Sequence, residues 1–477
     1  MKMITRTIII LLVSLTGLIS CIEDGFSTSP SDQPEFSVDT LKLGSLLSAE
    51  PSVTKRFTVH NRHNKSLMIS DIRISGADAG CFRMNVDGFS GETFSGIEIR
   101  SQDSIFVFVE ATLPETTGKG AGYEAAIDFT TNGVTASIPV TAQSINVVRL
   151  RGEIIEGERT LSAELPYQIY DSLVVAEGAT LRIAPGAELL FHDKAMLTVR
   201  GTLLSEGSAE APVYLKGDRT GNVVTDISFE IMSRQWEGVY IAPTSTGNRL
   251  SHTHIINTSR GVVAEGNPET DYSTVPQLTI YNSRIHNSGD LVLETYHSSV
   301  KATGSEFSDA ASGIVYLQGG THRFDQCTFA NNYLFAAIGG PAVQFAHLSG
   351  DPDKGADDGS GLPYLQASFT NSIIYGIGGD VSHGDLTGTG VTLRRTLLKS
   401  EGKDDDNFIE CLWDSDPLFS AVREEYILTY YLREESPAIG AADASLSEAD
   451  AATDMNGTAR GATPNLGAYA GVYTEEE

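Results

Sequence analysis

Apolar and polar residues alternate with a period of two in short runs, the pattern of half-buried strands. Between about residues 34 and 147 these runs include Phe57-Thr58-Val59-His60, Ile72-Arg73-Ile74, Ile105 to Val109, and Ala126-Ile127-Asp128-Phe129. Turn residues such as Asn61, Gly76, Gly91, Gly118 and Asn132-Gly133 separate them. Short strands punctuated in this way predict an antiparallel β-sandwich.

From about residue 160 the strands shorten and are closed by glycine, as in Leu181-Arg182-Ile183-Ala184-Pro185-Gly186 and Leu197-Thr198-Val199-Arg200-Gly201. Farther on a period can be counted. Ile255, Ile285, Phe307 and Phe329 each centre a strand, at steps of 30, 22 and 22 residues. A second row, Val263, Leu293, Val315 and Ala337, repeats those steps. Coils of about 22 residues predict a parallel β-solenoid of about ten coils. The extra residues of the long step are expected within 265–275. Alternation points Ile255, Ile285, Phe307 and Phe329 inward, with Thr253, Ser283, Ser305 and Cys327 on the same side. Asn257, Asn287, Asp309 and Asn331 then fall where each coil bends, where their side chains can satisfy turn backbone groups.

Three resemblances build on these patterns. Phe82-Arg83-Met84-Asn85-Val86-Asp87-Gly88, followed by Asp103 to Val109, resembles the immunoglobulin-like domain that opens many Bacteroidetes β-helix lipoproteins. The stretch from Glu177 to Leu203 resembles the opening coils of right-handed parallel β-helix proteins. Ser436-Pro437-Ala438-Ile439-Gly440, Asp454 to Arg460 and Leu466-Gly467-Ala468-Tyr469 resemble the C-terminal segment of bacterial surface β-helix proteins, although Gly440 replaces the usual Asp and Ala470 stands where Glu is common. Together they imply an all-β chain: an immunoglobulin-like sandwich over 34–147, a right-handed parallel β-helix over 148–410, and a segment over 411–477 that caps its exposed strand edges.

The start of the chain bears on location. Lys2 and Arg6 precede an apolar core from Ile8 to Leu18, too short for a bilayer that needs roughly 20 apolar residues. Leu18-Ile19-Ser20-Cys21 resembles a bacterial lipobox, which implies a signal peptide over 1–20, cleavage before Cys21, and a lipid on that residue that anchors the protein to a membrane without a spanning helix. Glu23 and Asp24 resemble the acidic pair of surface-exported Bacteroidetes lipoproteins, so the expected place is the outer membrane, facing outward. Residues 21–33 read as a flexible tether. The 62 acidic against 33 basic residues give a net charge of −29, which argues against nucleic acid as a partner. A monomer is expected. Cys81, Cys327 and Cys411 fit no metal spacing and read as free cysteines.

Candidate chemistry is sparse. The outward row of the stacked strands carries His252, His254, Asn282, Arg284, His286, Glu306 and Gln326 on coils about 4.8 Å apart. Such a row could bind an acidic sugar through the arginine fork and histidine donors. The blander reading, and the one this row favours, is a solvated face with Arg284 and Glu306 as a cross-coil ion pair. Asp351, Asp353 and Asp357 have partial calcium-loop spacing, but Lys354 intrudes and Leu362 stands where Glu is needed, so an acidic insertion is the competing reading and calcium the only cofactor to consider. There is no G-x-S-x-G, H-E-x-x-H or P-loop. The leading expectation is a non-enzymatic surface module that binds polysaccharide or another surface component. The alternatives are a lyase acting on acidic polysaccharide and a structural or adhesive stalk.

Overall fold

A computed structural model describes residues 25–224, 227–349, 359–382 and 386–474. The lipobox with Cys21 and the acidic triplet Asp351, Asp353 and Asp357 lie outside the described residues. The chain is all-β and forms two compact units, dividing between Asn146 and Val147.

The first unit packs a five-stranded and a six-stranded sheet around one core. Alternation places Phe57, Val59, Ile72, Val107, Val109, Ile127 and Phe129 inside, each at most 2% exposed. Its strands pair antiparallel except where Val134–Ile145 runs parallel to Leu41–Leu47, and the isolated Phe26–Ser66 bridge is parallel too. Residues 25–33, expected as a tether, are instead docked on this unit. Phe26 bridges Ser66, the buried Ser27 donates to Asp32, and Gln33 donates to the Thr131 carbonyl. Hydrogen bonding of small polar residues to turn backbone gives this glycine- and serine-rich stretch a fixed course.

The second unit is a parallel solenoid. One flank stacks Glu188–Phe191, Val213–Gly217, Thr253–Ile256, Arg284–Ser288, Glu306–Ala310, Thr328–Asn331, Ile373–Gly376 and Leu397–Leu398. The other flank stacks Met196–Val199, Gly238–Ile241, Val262–Glu265, Leu293–Tyr296, Val315–Gln318, Val343–Ala346 and Val381–Ser382. A ten-stranded parallel sheet forms the third side.

The predicted ladder is present. Ile255, Ile285, Phe307 and Phe329 pair coil to coil and continue to Ile374, and the insertion of the long step falls between Glu265 and Leu278. The second row holds for Leu293 and Val315 only. Val262, not Val263, pairs with Leu293, because the corner between Ile255 and Val262 is one residue shorter than that between Ile285 and Leu293. Val343, not Ala337, pairs with Val315, because a second insertion separates Thr328–Asn331 from Val343–Ala346.

Beside the apolar ladder runs a ladder of hydroxyls. The backbone N–H of Thr253 donates to Ser283 Oγ at 3.0 Å and that of Ser283 to Ser305 Oγ at 3.1 Å. Each hydroxyl in turn donates to the carbonyl two residues back, Ser283 to Tyr281 and Ser305 to Thr303. Cys327 takes one rung, its thiol donating to the Asp325 carbonyl, as befits a small buried filler.

The C-terminal segment departs from expectation. At the last coil Trp413 packs over Phe408, and a Cβ on Gly402 would run into the indole. The residues that follow lie along the first flank rather than across the end of the stack. Leu432, Ala438, Ala442 and Leu466 pack on Ile373 and Leu397, while Tyr430, Met455, Ala468 and Tyr469 pack on Ala330. The flank has a sequence reason to be covered. Ile373-Ile374 and Leu397-Leu398 put apolar side chains on both faces of one strand, and the outer one must be buried by something.

Candidate functional site

The covering segment redraws the expected binding face. In register, the outward row of the first flank reads Glu188, Tyr214, His254, Arg284, Glu306, Thr328, Ile373 and Leu397. His252, Asn282 and Gln326 are not in this row. Each has a positive φ (43°, 44° and 54°) and sits at the corner before the strand, turned toward the covering segment or the corner itself. Asn282 Nδ2 donates to the Asp454 carbonyl at 3.0 Å, and Gln326 Oε1 accepts from Arg460 at 3.1 Å. His252 lies edge-on to Tyr281, and burial lowers its pKa.

Glu306, expected in solvent, is fully buried. Its carboxylate accepts from Arg284 Nε at 2.6 Å, from Ser308 at 2.6 Å and from the Tyr469 hydroxyl. Arg284 spends a second N–H on the Leu428 carbonyl at 2.6 Å. Burial works against the charge of this guanidinium, but Glu306 outweighs it and holds the group more firmly protonated than a free arginine. The pair is therefore a desolvated link between solenoid and covering segment, not a solvated binding contact. Asp309 belongs to the same interface. Its Oδ1 accepts from the Tyr430 hydroxyl at 2.5 Å and the Asn332 N–H at 3.0 Å, Oδ2 has no partner, and burial pushes its carboxyl up to about 7.

The residues of the C-terminal pattern hold this segment in shape. Asp454 accepts from the N–H groups of Asn456, Thr458 and Ala470. Arg460 donates to the carbonyls of Gly467 and Ala468. Gly467 has φ 84°, and a Cβ there would stand 2.5 Å from Thr328 Oγ1 and 2.9 Å from Ile373 Cδ1.

What remains open on the first flank is a groove of about 620 Å³ where the covering segment stops short. Its floor is the outward row at Tyr214, His254 and Arg284, joined by His286 from the next row. Its walls are Glu230 and Ile231 from the insertion after Val213–Gly217, and the turn from Tyr426 to Thr429. The insertion is held by amides from the coil bends. Asn257 Nδ2 donates to the carbonyls of Glu230 and Met232, and Asn287 Nδ2 to that of Glu230.

The groove is polar yet poor in free charge. Burial pushes the His254 imidazole down to about 4, with Arg284 and His252 adding to the effect. His286 lies well below its ordinary value for the same reasons, burial first, then Arg284 and His254. Both are neutral at pH 7 and present ring nitrogens that can donate or accept. Tyr214 lies 4.9 Å from the His254 ring, centroid to centroid, and Lys216 pairs with Glu188 at 3.7 Å. Tyr426 and Ile427 are about 40% exposed at the rim. Of the seven candidate residues, His254, Arg284 and His286 line the groove and the other four do not. Tyr214 and Tyr426 were missed by sequence reasoning. The first was in reach by extending the outward row one coil back from His254, the second only through the three-dimensional path of the covering segment. Among the described residues no group of three His, Cys, Asp or Glu is placed to hold a metal ion.

No protein-family model matches the chain, and no curated protein matches it. Some solved structures share a local likeness. A family 123 glycoside hydrolase from Clostridium perfringens is 8% identical over 24% of this chain and 26% of its own, with a TM-score of 0.18. A PapD-like domain of human CEP192 is 14% identical over 25% of this chain and 90% of its own, TM-score 0.18. The VesB protease of Vibrio cholerae is 18% identical over 25% of this chain and 33% of its own, TM-score 0.16. The match thus spans about a quarter of the length of the glycoside hydrolase. Scores of this size carry no argument about fold or activity.

Proposed function

We propose that the chain is a lipid-anchored protein of a Bacteroidetes-like outer membrane, facing outward, that binds glycan without turning it over. In this reading an immunoglobulin-like module stands next to the lipidated Cys21 and carries a right-handed β-helix whose first flank holds the binding groove. The observation that carries the reading is the groove itself, with aromatic surface at Tyr214 and Tyr426 and two neutral imidazoles at His254 and His286. Hydroxyl-rich ligands are held by such a mixture, with ring faces for their C–H surfaces and uncharged donors and acceptors for their hydroxyls.

A lyase reading has one point in its favour, since a neutral His254 beside Tyr214 is a base next to an acid. It needs a cation to neutralise a uronate carboxylate. Arg284 is already engaged by Glu306 and the Leu428 carbonyl, and Lys216 by Glu188, which weighs toward binding without chemistry.

The test is a glycan array probed with the full chain, with and without calcium, alongside His254→Ala and Tyr426→Ala. Binding weakened about tenfold by each substitution, at an unchanged unfolding midpoint, is the expected result. Binding indifferent to both would remove the groove from consideration. Unsaturated, ultraviolet-absorbing products from a uronic-acid polymer would replace binding with lyase chemistry.

A further inference from the structure

Among the described residues no segment covers the outward rows of the second flank as the C-terminal segment covers the first, and those rows are rich in tyrosine. In register, one row reads Tyr240, Val263, Glu294, Tyr316 and Gln344, and the row beside it Glu265, Tyr296 and Gln318. Tyr240, Tyr296 and Tyr316 are all partly exposed. Each ring is held at its hydroxyl. Tyr240 donates to Glu265 at 2.6 Å, Tyr296 to Glu294 at 3.1 Å and Tyr316 to Gln318 at 3.0 Å. Glu294 is itself fixed, almost fully buried and gripped by both Nε and Nη2 of Arg260. Rings tied down in this way lose little freedom when a ligand settles on them.

We infer that this strip, centred on Tyr296 and Tyr316, is a second carbohydrate-binding surface, and that it takes a neutral polysaccharide chain lying along the solenoid axis. Two features select that ligand. The first is spacing. Coils of a parallel stack stand about 4.8 Å apart, close to the length of one pyranose unit in an extended chain. Tyr296 and Tyr316 lie on successive coils with centroids 5.9 Å apart and planes tilted by 53°, so neighbouring units of a twisted chain can each meet a ring through their C–H face. The second is charge. Glu294 and the Arg260 guanidinium cancel as an ion pair, and Glu265 beside Tyr296 leaves the strip with a net negative charge that disfavours an anionic polymer. Arg200 acts on Tyr240 at the far end of the strip, and the cation that acts on Tyr296 is Arg260, which Glu294 already holds. Gln318 and Gln344 complete the rows, their amides engaged by the Tyr316 hydroxyl and the Ser312 carbonyl.

The inference does not depend on the groove of the first flank, and the test separates the two. The full chain is run by affinity electrophoresis through gels holding hydroxyethylcellulose, galactomannan, xyloglucan or polygalacturonate. Retardation by at least one neutral polymer, weakened about tenfold in Tyr296→Ala and in Tyr316→Ala and kept in His254→Ala, is the expected result. Tyr296→Phe, which keeps the ring and loses only its tether, should stay retarded. Retardation by none of the neutral polymers, retardation by polygalacturonate alone, or binding that survives loss of both rings would overturn the inference. Hydroxyl-radical footprinting of the unsubstituted chain reads the same contact without any substitution. Protection of Tyr296 and Tyr316 by the retarding polymer is expected, and protection of neither would sink the proposal.

Discussion

Two arginines on the solenoid each meet glutamate across a coil boundary, and they live in different worlds. Arg182, on the ten-stranded sheet, reaches Glu158 at 2.8 Å and Glu206 at 3.0 Å with all three side chains more than a third exposed. Arg284, on the first flank, reaches Glu306 at 2.6 Å with the carboxylate fully buried. Pair chemistry and stacking are alike, and the cover is not. A solvated pair gives up little on losing a partner, because water replaces it. A buried pair leaves an uncompensated charge in a dry place.

The comparison can be broken at its strongest point first. Glu306→Ala strands Arg284 under the covering segment, and denaturant unfolding should show a loss of about 3–5 kcal/mol. A loss below about 1 kcal/mol would mean that the segment does not keep water out. Tyr469→Phe removes one donor to the same carboxylate and keeps the ring, so about 1.5–3 kcal/mol is expected by the same measurement.

Asp309 gives the comparison a pH axis. Burial raises its carboxyl to about 7 in the folded chain, although the Tyr430 and Asn332 donors pull the other way, whereas an unfolded aspartate sits near 3.8. Between those values the folded chain keeps a proton that the unfolded chain has released. Stability contributed by this group therefore falls as pH rises from about 4 to about 7 and levels off above. Asp309→Asn should flatten that slope in a series of thermal melts, and a variant that tracks the parent across the whole window would contradict the assignment. The smallest effect is expected from Arg182→Ala, which should leave the unfolding midpoint where it was.

Much of the solenoid was legible because its rules are local. The steps between Ile255, Ile285, Phe307 and Phe329 reported the coil, and the hydroxyls at Thr253, Ser283 and Ser305 marked the inner corner. Where a loop interrupted the count the reading slipped, which is why Ala337 was taken for Val343. The fate of the outward row was written elsewhere. Glu306 meets Tyr469, 163 residues away, and no period within the repeat announces that contact. The available hint lay in the doubled apolar residues, Ile373-Ile374 and Leu397-Leu398, which need cover on both faces. Of the candidate site, His254, Arg284 and His286 are legible in the sequence, but as part of an outward polar row. Only the path of the chain after Leu418 turns them into the floor of a groove.

That path also sets an order of events. A chain made from its N-terminus presents the coils bearing Arg284 and Glu306 long before Tyr430 and Tyr469 exist, and each coil can settle on the one before it as it emerges. Through that interval the two charges sit in water at no cost. They are dried only when the last sixty or so residues fold back, a closure between segments far apart in sequence and therefore slow beside the stacking of neighbours. The outward Ile373 and Leu397 are thus open to water on the nascent protein and buried on the finished one, so the final docking step is what hides the apolar part of this flank.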